Sequence, residues 1–209
     1  MSLELQITTL KHEWIAEAGR VQGRAFFEDP AFGFTFPDDE RRREGLPWLM
    51  QIGVAYGERF GHVDTTAGTM IGHAVWLPPG RTELSPSRME DVGFVEAPRH
   101  LKEDELERFG AFVDTMAAAH ERFVPGPHWY LMVLGVEPAH QGQGAGSALI
   151  APTLARADAE GLPCYLDTAK ERNLAFYRRH GFEVRDEQRV PGGGPRVWAM
   201  VREPREGAR

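Results

Sequence analysis

Cysteine is nearly absent from this 209-residue chain, lysine is rare, and no long apolar run occurs. The lone Cys164 has no intramolecular disulfide partner and supplies no cysteine metal cluster, which points to a reducing, cytoplasmic setting. No segment approaches the roughly 18 apolar residues that a membrane-spanning helix needs. Met1–His12 alternates like a strand and lacks the basic-then-apolar pattern of a secretion signal. Positive charge is also short: 24 Lys and Arg against 31 Asp and Glu leave a formal net charge of −7. An acidic surface repels phosphate backbones and anionic lipid heads, so neither nucleic acid nor membrane is expected as a partner. An anionic cofactor is not excluded, because a helix N-terminus binds phosphate without surplus basic side chains. The eight histidines include no H-E-x-x-H and no cluster at ligand spacing, so no metal is expected.

What is present is the composition of an ordinary soluble domain, 42% hydrophobic and 26% charged. Alternation at Leu3, Leu5 and Ile7 reads as an opening strand, and Trp14–Phe27 as an amphipathic helix halted by Asp29-Pro30. Phe32, Phe34 and Phe36 read as an aromatic loop. A second helix, capped by Asp38 or Asp39, runs to about Arg59, with a break expected at Pro47. His62–Thr66 and Thr69–Leu77 read as strands around a turn, and a helix from about Asp104 to Phe123 follows a mixed helical and loop segment. His128–Val136 is a nearly continuous apolar run, as in a central strand covered on both faces. After it come a helix from Gly144 to Glu160, a strand at Pro163–Asp167, and a short helix at Asn173–His180. Phe182–Arg185 and Arg196–Val201 read as closing strands. The whole reads as one α/β (α+β) domain over residues 1–209, with a mixed sheet and a helical insertion.

The sharpest feature lies between the central strand and the next helix, in Val136-Glu137-Pro138-Ala139-His140-Gln141-Gly142-Gln143-Gly144-Ala145-Gly146-Ser147. Gln141, Gly144 and Gly146 fall in the spacing Q-x-x-G-x-G. Glycines there let backbone N–H groups turn inward toward a diphosphate, and the helix dipole adds about half a positive charge at the same end. A nucleotide P-loop requires Lys before Ser or Thr, which Gly146-Ser147-Ala148 lacks. A dinucleotide fingerprint requires a third glycine where Ser147 stands, and it should open a doubly wound sheet.

This segment resembles the acetyl-coenzyme A signature of the GCN5-related N-acetyltransferase (GNAT) superfamily. Across His128–Met200 the chain is most similar to puromycin N-acetyltransferase-like members. The matching pieces are Gly135-Val136, His140–Gly144, Gly146-Ser147-Ala148, Asp167-Thr168, Arg172-Asn173-Leu174, Phe176-Tyr177, Gly181-Phe182 and Trp198. Before them the likeness is thin, little more than Ala25–Pro30. The resemblance implies the GNAT fold, a central sheet of about seven strands with a splayed central pair. It also implies an acceptor-side half at 1–127 and an acetyl-CoA-binding half at 128–202.

The resemblance implies site roles as well. The edge of Leu134, Gly135 and Val136 would pair with the pantetheine arm, one N–H serving as an oxyanion donor worth about 3 kcal/mol. Backbone amides of Gln141, Gly142, Gln143, Gly144, Ala145, Gly146 and Ser147 would hold the pyrophosphate, and Asn173 would touch the pantetheine. Tyr177 would protonate the departing thiolate; an ordinary tyrosine, with a pKa of about 10, carries that proton at pH 7. An amine acceptor needs a base, and Asp167 is the candidate, with a cap on the following turn as its other reading. Glu137 reads as solvated, and Cys164 as a core residue. The activity implied is acetyl transfer from acetyl-CoA to the amine of a small molecule, by a monomer or homodimer. A non-catalytic acetyl-CoA-binding module and a protein N-acetyltransferase are the alternatives.

Overall fold

The computed structural model describes residues 5–205, so Leu3 of the expected opening strand lies outside it. Seven strands form one sheet: β1 (Ile7–Thr9), β2 (His62–Thr66), β3 (Gly72–Leu77), β4 (Trp129–Val136), β5 (Cys164–Thr168), β6 (Glu183–Arg189) and β7 (Arg196–Arg202). Their spatial order is β1-β2-β3-β4-β5-β7-β6. Every neighbouring pair is antiparallel except β4 and β5. That parallel pair meets only at Trp129 opposite Cys164 and Tyr130 opposite Tyr165. Beyond those positions β4 stays with β3 as far as Val136, and β5 stays with β7 as far as Thr168. Each strand keeps its outer partner and loses its inner one, which opens a V in the middle of the sheet.

A β-bulge sits where the V opens. Val75 faces Val133 and Trp76 faces Leu131, so Met132 is an extra residue on β4. Bulges bend a strand and re-aim its side chains. Ahead of it, Trp129 and Leu131 pack beneath the helix α7 (Ala145–Glu160); past it, Leu134 and Val136 take that face. Met132 and Val133 both turn to the opposite face, against α3 (Asp39–Phe60).

That opposite layer is built from α1 (Ile15–Ala25), α2 (Pro30–Thr35), α3 and α6 (Glu103–Phe123), with short helices α4 (Pro86–Asp91) and α5 (Ala97–His100) between them in the chain. The expected break at Pro47 does not occur: α3 is continuous through it. Contact with α1 accounts for this. A Cβ at Gly19 would lie 2.8 Å from the Pro47 carbonyl, and one at Gly23 would lie 2.9 Å from its ring. Two glycines one turn apart let α1 close on α3, and that packing holds the helix where proline removes a hydrogen bond.

Other elements also differ from expectation. The aromatic segment is a helix, not a loop: the Asp29 carboxylate caps α2 by accepting from the Ala31 N–H at 3.0 Å, and Pro30 fills the first helical position. Phe32 and Phe36 are consequently core residues beside Leu46 and Leu49. Arg41 bridges α3 to the buried Glu105 of α6 at 2.9 Å. Strand β6 is longer than its hydrophobic pattern indicates, because it is an edge strand with Glu183, Asp186, Glu187 and Arg189 along it. Such edges are commonly charged. Among the described residues, no helix is long and apolar enough to cross a membrane.

On the far side of the sheet, the Arg202 guanidinium of β7 makes a two-pronged ion pair with Asp158 of α7, at 2.7 and 2.6 Å. It also donates to the His180 carbonyl at 3.0 Å. Satisfied on each side, this buried cation locks α7 to the sheet.

Candidate active site

Local geometry turns the loop after β4 into a cradle of amides. A short 3₁₀ turn at Pro138–His140 leads into Gln141. Gly142 then takes φ +75° and Gly144 takes φ +92°, in the left-handed region where any side chain is strained. Gly144 caps α7, whose first turn leaves the N–H groups of Ala145, Gly146 and Ser147 without helical acceptors; Ala148 is the first to bond, to the Gly144 carbonyl at 3.0 Å. Among the described residues, the amides of Gly142, Gln143 and Gly144 have no backbone acceptor. The Gln141 amide is different. It donates to the Pro138 carbonyl at 3.3 Å, and the Gln141 side chain donates to the Val136 carbonyl at 2.9 Å. Gln141 therefore braces the loop, and the open amides run from Gly142 to Ser147. Gly146 is small for a separate reason: a Cβ there would meet the Phe176 ring at 3.3 Å. The Ser147 hydroxyl is engaged by His180 at 2.9 Å.

The same loop joins the free edge of β4. The Glu137 N–H bonds to the Ile71 carbonyl at 2.7 Å, toward β3. By the alternation of a strand, Gly135 shares that direction, while Leu134 and Val136 turn their peptide groups toward the V. Gly135 has its own reason to be glycine, since a Cβ would fall 1.7 Å from Gln22 Oε1 of α1. Glu137 is not solvated as read: its carboxylate is paired with Arg24 of α1, at 2.9 Å from Nε.

The V opens into a largely apolar cleft enclosing about 150 Å³. On its wall the structure brings together Leu134, Asp167, Asn173 and Tyr177. Tyr177, on α8 (Leu174–Arg179), is buried; burial first, and then the Asp29 carboxylate, push its phenol above the usual range, so it keeps its proton. Asp167 does not cap the following turn. That work falls to Thr168, whose hydroxyl accepts from the Lys170 N–H at 3.3 Å. Instead, the Asp167 carboxylate accepts from the Tyr165 hydroxyl at 2.7 Å and from the Tyr130 hydroxyl at 3.4 Å. Burial raises it to about 7 against the pull of both hydroxyls. Such a carboxyl is half ionised at neutral pH, the condition in which a general base works best. Cys164 is fully buried and its thiol is held up at about 12, so no thiolate is available.

Three of these participants escape a reading of the sequence. Tyr130 and Tyr165 face each other only because β4 and β5 pair there, although the i, i+2 spacing of Tyr165 and Asp167 already places both on one face. Asp29 reads as a helix stop, yet it is a buried carboxylate on the cleft wall. Among the described residues, no cluster of His, Cys, Asp or Glu is arranged to hold a metal ion.

Against known proteins, the Acetyltransferase (GNAT) family profile matches residues 25–182. The chain belongs to the GNAT family. An uncharacterized N-acetyltransferase of Schizosaccharomyces pombe is 28% identical over 194 residues, 86% of this GNAT chain and 76% of its own. Among solved structures, arylalkylamine N-acetyltransferase 2 from Aedes aegypti superposes with a TM-score of 0.69 at 15% identity, covering 97% of this chain and 100% of that one. An agmatine N-acetyltransferase gives 0.66 at 16% identity, covering 96% and 100%. At these identities the two structures establish the GNAT fold and nothing finer.

Proposed function

We propose that this GNAT protein transfers the acetyl group of acetyl-CoA to the amine of a small-molecule acceptor, by direct attack on the thioester. The observation that carries the reading is the continuity of three features: open amides at Gly142–Ser147, a strand edge open at the Leu134 peptide groups and the Val136 N–H, and a cleft holding Asp167 and Tyr177. Acetyl-CoA supplies the acyl group and a thiolate leaving group. The amides fit its pyrophosphate, and the β4 edge fits the amide-bearing arm, with Asn173 beside it. In this reading residues 128–202 bind the donor, residues 1–127 shape the acceptor side, and 1–209 act as one domain.

Each remaining role falls to a residue on the cleft wall. Asp167 takes the proton of the acceptor ammonium, which frees the nitrogen lone pair to attack. An outward N–H of β4 stabilises the oxyanion that forms as the C–N bond is made. When the C–S bond breaks, Tyr177 gives its proton to the departing sulfur, and the surplus proton on the new amide nitrogen returns to the phenolate. The resemblance of His128–Met200 to puromycin N-acetyltransferase-like members favours a metabolite or antibiotic amine over a protein.

The test is thiol release over a panel of amines with acetyl-CoA as donor. Release that requires both partners is the expected result; tight acetyl-CoA binding without turnover on any amine overturns the reading. The loop has its own prediction. Valine at Gly144 forces a branched side chain into φ +92°, so Gly144→Val is expected to raise the KM for acetyl-CoA about tenfold or more. Titration of acetyl-CoA against the folded variant checks it.

A further inference from the structure

We infer that the acceptor is a monoamine carrying a bulky apolar or aromatic group, not a diamine or polyamine. The inference rests on the proposed function, in that it takes the cleft as the acceptor site. The fold does not separate the two classes, since this chain resembles an arylalkylamine enzyme and an agmatine enzyme about equally. The lining of the cleft does.

Beyond the V, the cleft runs between α2, α3, α4 and α6, where Phe32, Met50, Met89, Phe109, Phe112 and Met116 form its walls. Thioethers and ring faces make a wall that adapts to apolar groups of varied shape. Among the described lining residues the carboxylates are Asp29 and Asp167. One ammonium is accounted for by Asp167, which receives its proton. Asp29 is already committed: it caps α2 through the Ala31 N–H, and burial raises its carboxyl above the usual range despite Ala31, Lys170 and Arg172, which makes it a weak anion. The buried Glu105 of α6 is paired with Arg41 of α3. A second ammonium on the acceptor would therefore enter an apolar wall with no uncommitted carboxylate to meet it, which is strongly unfavourable.

The experiment measures kcat/KM by thiol release at saturating acetyl-CoA. The substrates are n-alkylamines of increasing length, phenethylamine, and putrescine, agmatine and spermidine. For alkylamines, kcat/KM is expected to rise about three- to fourfold per added methylene until the cleft is filled. Diamines are expected to fall about a hundredfold below monoamines of matched length. Met116→Glu places an anion in the wall, and should raise the diamine-to-monoamine ratio at least about tenfold. If that variant does not fold, Met89→Glu on the half-buried α4 makes the same test. Diamines matching or exceeding the monoamines in the unaltered protein overturn this inference and leave the acetyltransferase reading standing. Failure of every amine overturns the acetyltransferase reading and this inference with it.

Discussion

Asp167→Asn is expected to lower kcat/KM by about 10²- to 10⁴-fold, the usual contribution of a positioned general base, with acetyl-CoA affinity unchanged. Only the ionised carboxylate accepts the ammonium proton. Activity of the unaltered protein should therefore rise with pH through about 7, the value to which burial brings Asp167. The groups packed around it do not titrate there. Tyr130 and Tyr165 are pushed far up by burial, and His120, stacked on Tyr165 at 4.3 Å, is held at about 4 by burial and then by His128. An asparagine variant retaining full activity would remove Asp167 from the mechanism.

The same substitution should change stability in the opposite sense. The carboxyl sits near 7 in the folded chain against an ordinary 3.8, so the folded state binds the extra proton between those values. Stability from this group is therefore full below about pH 4 and declines as pH rises toward 7. Three pH units set an upper limit of about 4 kcal/mol. Asparagine carries no such proton, so Asp167→Asn should melt progressively higher than the unaltered protein as pH goes from 4 to 8. A melting difference independent of pH would contradict the burial assigned to this carboxyl.

Tyr177→Phe is the second large effect. It removes the proton donor while keeping the ring that packs with Phe176 and Phe182. The expected result is a fall in kcat of tens- to thousands-fold with little change in acetyl-CoA Kd. Because burial and Asp29 both raise the phenol, no loss of activity from Tyr177 ionisation is expected below pH 10. A thiol-release assay with unchanged kcat would leave the thiolate to be protonated by water.

These two residues differ in how far the sequence discloses them. The strand, loop and helix from Trp129 to Glu160 are local: apolar run, turn glycines and helix follow one another, so spacing alone reveals them. Tyr177 is found through the pattern of residues around it. The reason Asp167 has an altered affinity for protons is not local. It depends on burial by elements distant in the chain, which outweighs the opposing pull of the Tyr165 and Tyr130 hydroxyls that the short parallel pair brings together. Asp29-Pro30 was legible as punctuation but not in its direction, because the residues that end α1 also begin α2. Pro47 failed as a helix breaker because Gly19 and Gly23, far away in the chain, provide the contact that offsets the lost hydrogen bond.

The surplus residue at position 132 makes β4 a strand with two reading frames. Exchanging Met132 for another apolar side chain leaves both frames in place. Deleting it would merge them into one regular alternation: Leu131, Val133, Leu134, Gly135 and Val136 would keep their faces and their partners on β3, and the strand would lose the bend and the Met132 side chain on the cleft wall. The surplus residue thus serves the curvature of the strand at the mouth of the V, and the facing of its neighbours does not depend on it.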